Sequence, residues 1–196
     1  MDVEKYGRRK AIKKILAGGV GLFSVSTVLA GEIKLGFLLK DSYAARRTEY
    51  VRGIIVYPSD FLREYSEEVG EIDDYIRRIA KELDATLRAD ISNSSLAAPQ
   101  IGHLERMIAL KEHGGVEIMI NPEIISRKGD YRCAEMCASV PSVVGFVHRS
   151  REVEVSYRTL DNDKIIRTYK KRNAAVIQHE IDHLDGILFT DKMERN

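Results

Sequence analysis

The sequence predicts an α+β domain in which helices pack on antiparallel strands. Residues 68–87 carry apolar side chains at spacings of three and four, which is the period of an amphipathic helix. Several later segments concentrate or alternate apolar residues between turn residues, as antiparallel strands do. A segment near the C-terminus places helix-forming residues around a His-Glu-x-x-His pattern, which favours a second helix.

The first helix and the strands follow one another along the chain. The helix covers residues 68–87, with an apolar stripe made of Ile72, Tyr75, Ile76, Ile79, Leu83 and Leu87. In the clearest strand, Val153, Val155 and Tyr157 alternate with polar residues, which indicates one buried face. Turns are predicted at Gly114 and Gly115 and at residues 161–163. The predicted strands are residues 107–110, 116–120, 143–147, 152–158 and 164–169.

The second helix carries the most informative residues of the chain. His179 and His183 are four apart, so a helix places both imidazoles on one face, where they can reach one metal ion. Glu180 can then act as a base on a water that the metal activates. Asn173 is expected to cap the start of this helix, and Asp185 with Gly186 to end it. By itself the pattern is also compatible with a polar surface helix that exposes two histidines.

A hydrolytic metal site needs a third protein ligand and an open position. The chain offers Cys133, Cys137, three other histidines and many carboxylates. Among these, only the stretch over residues 133–141 looks specialised.

Three motifs in this chain resemble those of peptide deformylases, in the order in which that family has them. Glu135-x-Cys137-x-Ser139-Val140-Pro141 resembles the family's Glu-Gly-Cys-Leu-Ser motif. Leu96-Ala97-Ala98-Pro99-Gln100 is similar to the end of Gly-x-Gly-x-Ala-Ala-Pro-Gln, and residues 178–189 are similar to the third motif. The resemblance covers roughly residues 51–193. It implies antiparallel sheets packed around a central helix that carries the His-Glu-x-x-His motif.

The resemblance also implies a chemistry: removal of the N-formyl group from N-formylmethionyl peptides, bound extended along a strand. The cofactor would be one divalent metal ion, typically iron(II), although zinc, nickel or cobalt can occupy such a site. Glu180 would be the base, and Gln100 with the backbone N–H of Ala138 would stabilise the oxyanion. An ion pair between Glu135 and Arg149 would brace the cysteine loop. The implied metal ligands are Cys137, His179 and His183.

Several residues depart from the family's pattern. Asn93 and Ser95 replace the two motif glycines, with Ser94 in place of the apolar residue between them, and Met136 replaces the glycine before the cysteine. Ala138 and Val144 stand where leucine and arginine are common. These changes are expected to reshape and narrow the substrate channel, so two alternatives stay open. One is an exported metallohydrolase acting on another N-acylated peptide, and the other is a metal-binding homologue without catalysis.

The N-terminal segment resembles an export signal. Residues 1–14 contain six basic residues, residues 15–31 contain no charged residue, and small residues permit cleavage after Ala30. Arg8 and Arg9 make it similar to a twin-arginine signal, which predicts a periplasmic location in a bacterium. An uncleaved membrane anchor over residues 15–31 and a cytoplasmic extension are the alternatives.

The resulting organisation is a signal or anchor over residues 1–30, a linker over residues 31–50 and one catalytic domain over residues 51–196. The 31 basic and 30 acidic residues nearly balance, so charge gives no indication of nucleic-acid binding.

Overall fold

The structure, a computed structural model, describes residues 50–112 and 114–194. Its helices are α1 (Asp74–Ala89) and α2 (Lys171–Leu184). Short 3₁₀ helices lie at Asp60–Arg63, Ala98–Ile101 and Phe189–Asp191. The strands are β1 (Ser95–Ala97), β2 (Met107–Glu112), β3 (Gly115–Cys137), β4 (Val140–Arg158) and β5 (Lys164–Lys170).

The strands form one five-stranded sheet in the order β1-β2-β3-β4-β5, and every neighbouring pair is antiparallel. The predicted α+β class with antiparallel strands is therefore confirmed. The two strands predicted at residues 143–147 and 152–158 are parts of the single strand β4, so the predicted break is wrong. The polar residues between them continue the strand, since His148, Arg149 and Ser150 pair with residues of β3. The side chain of Arg149 is nevertheless buried, because it bonds Glu135.

The two helices cover opposite faces of the first strands. Leu96, Met107 and Ala109 belong to the core cluster that contains the buried residues of α1. The intervening residues Ala97 and Ile108 belong to the cluster that contains the buried residues of α2. Since alternate residues of a strand point to opposite faces, this part of the sheet is buried on both sides. That double burial explains the continuous apolar run over residues 107–110.

Helix α1 begins six residues later than predicted. Asp73 caps it, because its carboxylate accepts a hydrogen bond of 2.9 Å from the backbone N–H of Ile76. The preceding chain is held out of the helix by distant partners. The side chain of Asn121 bonds both the N–H and the carbonyl of Val69, at 2.8 and 2.9 Å. These bonds replace the ones that an additional helical turn would make.

Helix α2 begins at Lys171 and not after Asn173, so the predicted cap is wrong; Asn173 lies inside the first turn and is exposed. The end of the helix is as predicted, since Asp185 is the C-cap and Gly186 follows with a φ of 69°. Gly186 also contacts the N-terminal part of the domain, where a Cβ would overlap the backbone of Arg63. Both constraints require glycine at this position.

The predicted signal or anchor at residues 1–30 lies outside the described residues. Residues 31–49 of the predicted linker lie outside them as well. Within residues 50–112 and 114–194, no helix is long and apolar enough to cross a membrane.

Candidate metal centre

The structure brings together the side chains of Cys137, His179 and His183. Their donor atoms all lie within 4.8 Å of one another, and Cys137 Sγ is 3.2 Å from His183 Nε2. The two histidines come from one face of α2, as the spacing of four predicts. The cysteine comes from the end of β3, more than 40 residues earlier in the chain.

A tight hairpin places Cys137 beside the helix. Cys137 pairs with Val140, so only Ala138 and Ser139 form the turn between β3 and β4. The register shifts between Glu135 and Cys137, which marks an irregularity in the strand just before the turn. Such irregularities re-aim side chains next to functional sites. Cys137 is buried as a result, and both cysteines of the chain are free thiols.

A buried ion pair supports His179. Arg149 donates two hydrogen bonds to the Glu135 carboxylate, at 2.7 and 2.9 Å, which confirms the predicted pair. Glu135 Oε2 lies 2.9 Å from His179 Nδ1. Burial opposes ionisation of Glu135, but the hydrogen bonds from Arg149 and His179 outweigh it and hold the pKa of Glu135 at about 2. An ionised carboxylate only accepts, so Nδ1 carries a proton and Nε2 is the ring nitrogen turned away from Glu135.

The electrostatics suit a cation at this point. Burial lowers the pKa of His183 well below its usual value, so this imidazole is neutral, the form that binds metals. Burial also acts to lower the pKa of His179, but hydrogen bonds to Cys137 and Glu135 outweigh it and raise that pKa to about 10. The site therefore favours a positive charge between the sulfur and the carboxylate. One thiolate and two imidazoles are a donor set that fits iron(II) or zinc.

Glu180 lies beside these ligands and is almost fully buried. Its Oε1 accepts a hydrogen bond of 2.6 Å from the hydroxyl of Ser95. Its Oε2 has no hydrogen-bond partner among the described residues. Burial raises the pKa of the Glu180 carboxyl above its usual value. A buried carboxylate with one oxygen held and the other available has the form of a general base.

The amide of Gln100 has a fixed orientation. Its Oε1 accepts a hydrogen bond of 2.8 Å from the backbone N–H of Ala97, so the NH₂ group faces the opposite way. There Nε2 lies 3.2 Å from Ser139 Oγ and 3.6 Å from Cys137 Sγ. The amide thus presents a donor towards the cysteine. Ala138, the other predicted oxyanion donor, is in the turn directly after Cys137 and lines the adjoining cavity.

A cavity of about 730 Å³ opens onto this group of side chains, and Glu180 and His179 line it. One wall is the face of α2 that includes Arg172, Ala175 and Val176. The departures from the motifs surround the same space, which shows that they are positions of the channel. The prediction that these residues narrow the substrate channel stays a prediction. The lining departures are Asn93, Ser94, Ser95, Met136, Ala138 and Val144.

Four contacts were not predicted from the sequence: Ser95 with Glu180, Ser139 with Gln100, Asp182 with Arg149, and Asp182 with Lys192. Asp182 gives the best signal, since it is a charged residue between Ile181 and the predicted ligand His183 on a helix that must be partly buried. Its partners lie 33 and 10 residues away, and the first distance hides the pair from local reasoning.

The chain is similar in sequence and in architecture to proteins described as peptide deformylases. A family model described as polypeptide deformylase matches residues 51–196. The peptide deformylase of Acetivibrio thermocellus is 39% identical over 136 residues, covering 69% of this chain and 79% of that protein. A crystal structure of a peptide deformylase from Synechococcus elongatus in complex with actinonin matches with a TM-score of 0.70 and 31% identity, covering 74% of this chain and 80% of that one. The Met-Ala-Ser-bound crystal structure of the class I type b peptide deformylase from Acinetobacter baumannii matches with a TM-score of 0.67 and 27% identity. The match covers 73% of this chain and 98% of that one.

Proposed function

The chain belongs to the polypeptide deformylase family, and we propose on that basis that it removes the N-formyl group from N-formylmethionyl peptides, releasing formate. The observation that carries the proposal is the convergence of Cys137, His179 and His183 within 4.8 Å. Glu180 and Gln100 lie next to these three residues. The relatives do not favour the two alternatives, a hydrolase of another N-acylated peptide and a metal-binding protein without catalysis.

Cys137, His179 and His183 would hold one divalent ion, and we propose iron(II), with zinc, nickel or cobalt as substitutes. An ion bound there supplies a Lewis acid that polarises the formyl carbonyl and makes a water more acidic. The support for this site is the donor set together with the buried Glu135, which orients His179 through Nδ1.

Glu180 would take a proton from the attacking water through its available oxygen, Oε2. As the water oxygen bonds to the formyl carbon and the carbon–nitrogen bond breaks, the same carboxyl would pass that proton to the leaving amine. The products are formate and a peptide with a free amino group. Burial of Glu180 keeps this proton away from bulk water.

Gln100 would donate a hydrogen bond to the formyl oxygen as negative charge develops on it. The bond from Ala97 to Oε1 fixes the amide in advance, so no reorganisation is needed during the reaction. The backbone N–H of Ala138 would be the second donor, from the turn next to Cys137.

The peptide would bind in an extended form along a strand. Strand β1 is at the edge of the five-stranded sheet, and the residues leading into it line the cavity. An open strand edge can bind a peptide by adding it as a further strand. We also infer that α2, which carries the His-Glu-x-x-His residues, corresponds to the central helix of the family's fold.

The function is tested by measuring formate release from formyl-Met-Ala-Ser. The full-length chain would be loaded with iron(II) without oxygen and compared with Glu180→Ala and with Glu123→Ala, an exposed carboxylate on β3. We expect Glu123→Ala to retain the turnover of the wild type. In Glu180→Ala the turnover should fall by far more than a hundredfold. Metal content should be alike in all three proteins. No turnover by the metal-loaded wild type would contradict the proposal.

We further propose that residues 1–30 direct the enzyme to the periplasm of a bacterium. The support is the order of a basic segment, an uncharged apolar segment and small residues ending at Ala30. Cell fractionation of the wild type and of the Arg8→Lys, Arg9→Lys double variant tests it. Export of the wild type and retention of the variant are expected. Cytoplasmic residence of both forms would contradict export.

A further inference from the structure

Ser95 makes a hydrogen bond to Glu180, the proposed base. The family's motif has a glycine at the position that corresponds to Ser95. Its hydroxyl donates to Glu180 Oε1 at 2.6 Å. We propose that Ser95 is a positioning residue, which fixes the Glu180 carboxylate so that Oε2 faces the reacting water. This inference rests on the proposed function, because it gives Glu180 the role of general base.

The hydroxyl is presented by a well-fixed part of the fold. Ser95 is the first residue of β1 and pairs with Leu110, and the next residue, Leu96, is fully buried. The chain before it is tied to β2, because Lys111 donates its backbone N–H to the carbonyl of Ser94 at 2.8 Å. The ammonium of Lys111 bonds the carbonyl of Asn93 at 2.7 Å. Ser95 therefore has little freedom to move away from α2.

The bond leaves the two oxygens of Glu180 in different situations. Oε1 is held by Ser95, whereas Oε2 is buried without a hydrogen-bond partner among the described residues. Rotation of the carboxylate would break the only side-chain hydrogen bond that Glu180 makes within this part of the chain. Ser95 thus selects Oε2 as the oxygen that exchanges a proton with the substrate.

The same bond survives the proposed proton transfer. When Oε2 takes the proton, Oε1 becomes the carbonyl oxygen of the acid and still accepts from the hydroxyl. Glu180 can therefore receive and return the proton without changing its rotamer. A glycine at position 95 cannot make this bond, and the carboxylate would then depend on other groups for its orientation.

The kinetic test compares three variants of the full-length, iron(II)-loaded chain. Ser95→Ala removes only the hydroxyl, Ser95→Thr keeps it, and Ser126→Ala is a control for the same substitution on β3, away from the cavity. A hydrogen bond to a charged group predicts a fall in kcat of about tenfold to a hundredfold for Ser95→Ala, with KM within about twofold. Ser95→Thr should stay within about threefold of the wild type in both constants.

Crystal structures of the wild type, Ser95→Ala and Ser95→Thr give a readout that does not depend on activity. Glu180 should adopt additional rotamers in the alanine variant and keep one rotamer in the other two. This comparison stands even if the wild type releases no formate, a result that would count against the proposed function alone. An unchanged Glu180 rotamer in Ser95→Ala would overturn the positioning role. A change in KM without a change in kcat, or an equal loss of kcat in Ser95→Thr, would overturn it as well.

Discussion

Arg149 and Glu135 form a bidentate ion pair at 2.7 and 2.9 Å, with both side chains almost fully buried. The pair connects two parts of the metal centre. Glu135 reaches His179 on one side, and Arg149 bonds Asp182 on the other. The hairpin that carries Cys137 and the helix that carries the histidines are thereby joined at two points, by the guanidinium of Arg149 and by the carboxylate of Glu135. Loss of the guanidinium should affect the fold and the site together.

Arg149→Met should destabilise the domain strongly, because it leaves the buried carboxylate of Glu135 without its arginine and leaves Asp182 with Lys192 alone. Removing one member of a buried ion pair costs about 3–5 kcal/mol. The free energy of unfolding, measured with urea, checks this. Arg132→Met is a matched control, since Arg132 pairs with Glu194 at the surface. A loss of stability in the control as large as in Arg149→Met would contradict the special role of the buried pair.

Gln100→Ala should lower kcat about a hundredfold and leave KM nearly unchanged, because an oxyanion donor acts mainly in the transition state. The steady-state rate of formate release measures both constants. The far-ultraviolet circular dichroism spectrum should match that of the wild type. A rise in KM at constant kcat would instead assign Gln100 to substrate binding.

Cys137→Ala should abolish stable metal binding, because only two imidazoles would remain. Cys133 is the natural control: it is also a free thiol lining the cavity, but it lies outside the ligand group. The metal content of the purified proteins, measured by mass spectrometry, should stay near one ion per chain in Cys133→Ala. Equal metal content in the two variants would remove Cys137 from the site.

Glu82 should make the stability of the domain depend on acid pH. Burial opposes its ionisation, but hydrogen bonds from Arg52, His103 and Arg78 outweigh it and lower its pKa from 4.5 to about 2. A lowered pKa in the folded state contributes stability that is fully present above pH 4.5 and is lost as the pH falls through 2. The contribution is up to about 3 kcal/mol.

The free energy of unfolding of the wild type and of Glu82→Gln, measured from pH 5 to pH 2, isolates that contribution. The advantage of the wild type should shrink as the pH falls. A difference that stays constant over this range would show that Glu82 is not the group responsible.

Local patterns predicted the parts of the site that depend on local geometry. His179 and His183 follow from a spacing of four in a helix, and the C-terminal end of α2 follows from Gly186. Cys137 could be chosen over Cys133 only through the resemblance to a family, because its approach to α2 depends on the hairpin turn. No spacing rule reports a contact between Ser95 and Glu180, which are 85 residues apart.

The errors in the predicted elements have the same origin. The predicted start of α1 is too early because the hydrogen bonds that hold Val69 outside the helix come from Asn121, which is 52 positions away. The polar residues before Glu152 predict a break in the sheet, because local hydrophobicity does not report that His148, Arg149 and Ser150 pair with residues of β3.

The packing of Gly186 against Arg63 has a consequence for how a growing chain acquires its structure. Arg63 Nη1 also bonds the carbonyl of Gly186, and Ser66 donates its backbone N–H to the carbonyl of Leu184 at 2.8 Å. Residues 63 and 186 are separated by 123 positions, so the ribosome completes the earlier segment long before its partner exists. Such distant contacts form late. The native arrangement around α2 can therefore be reached only after residue 186 has left the exit tunnel of the ribosome.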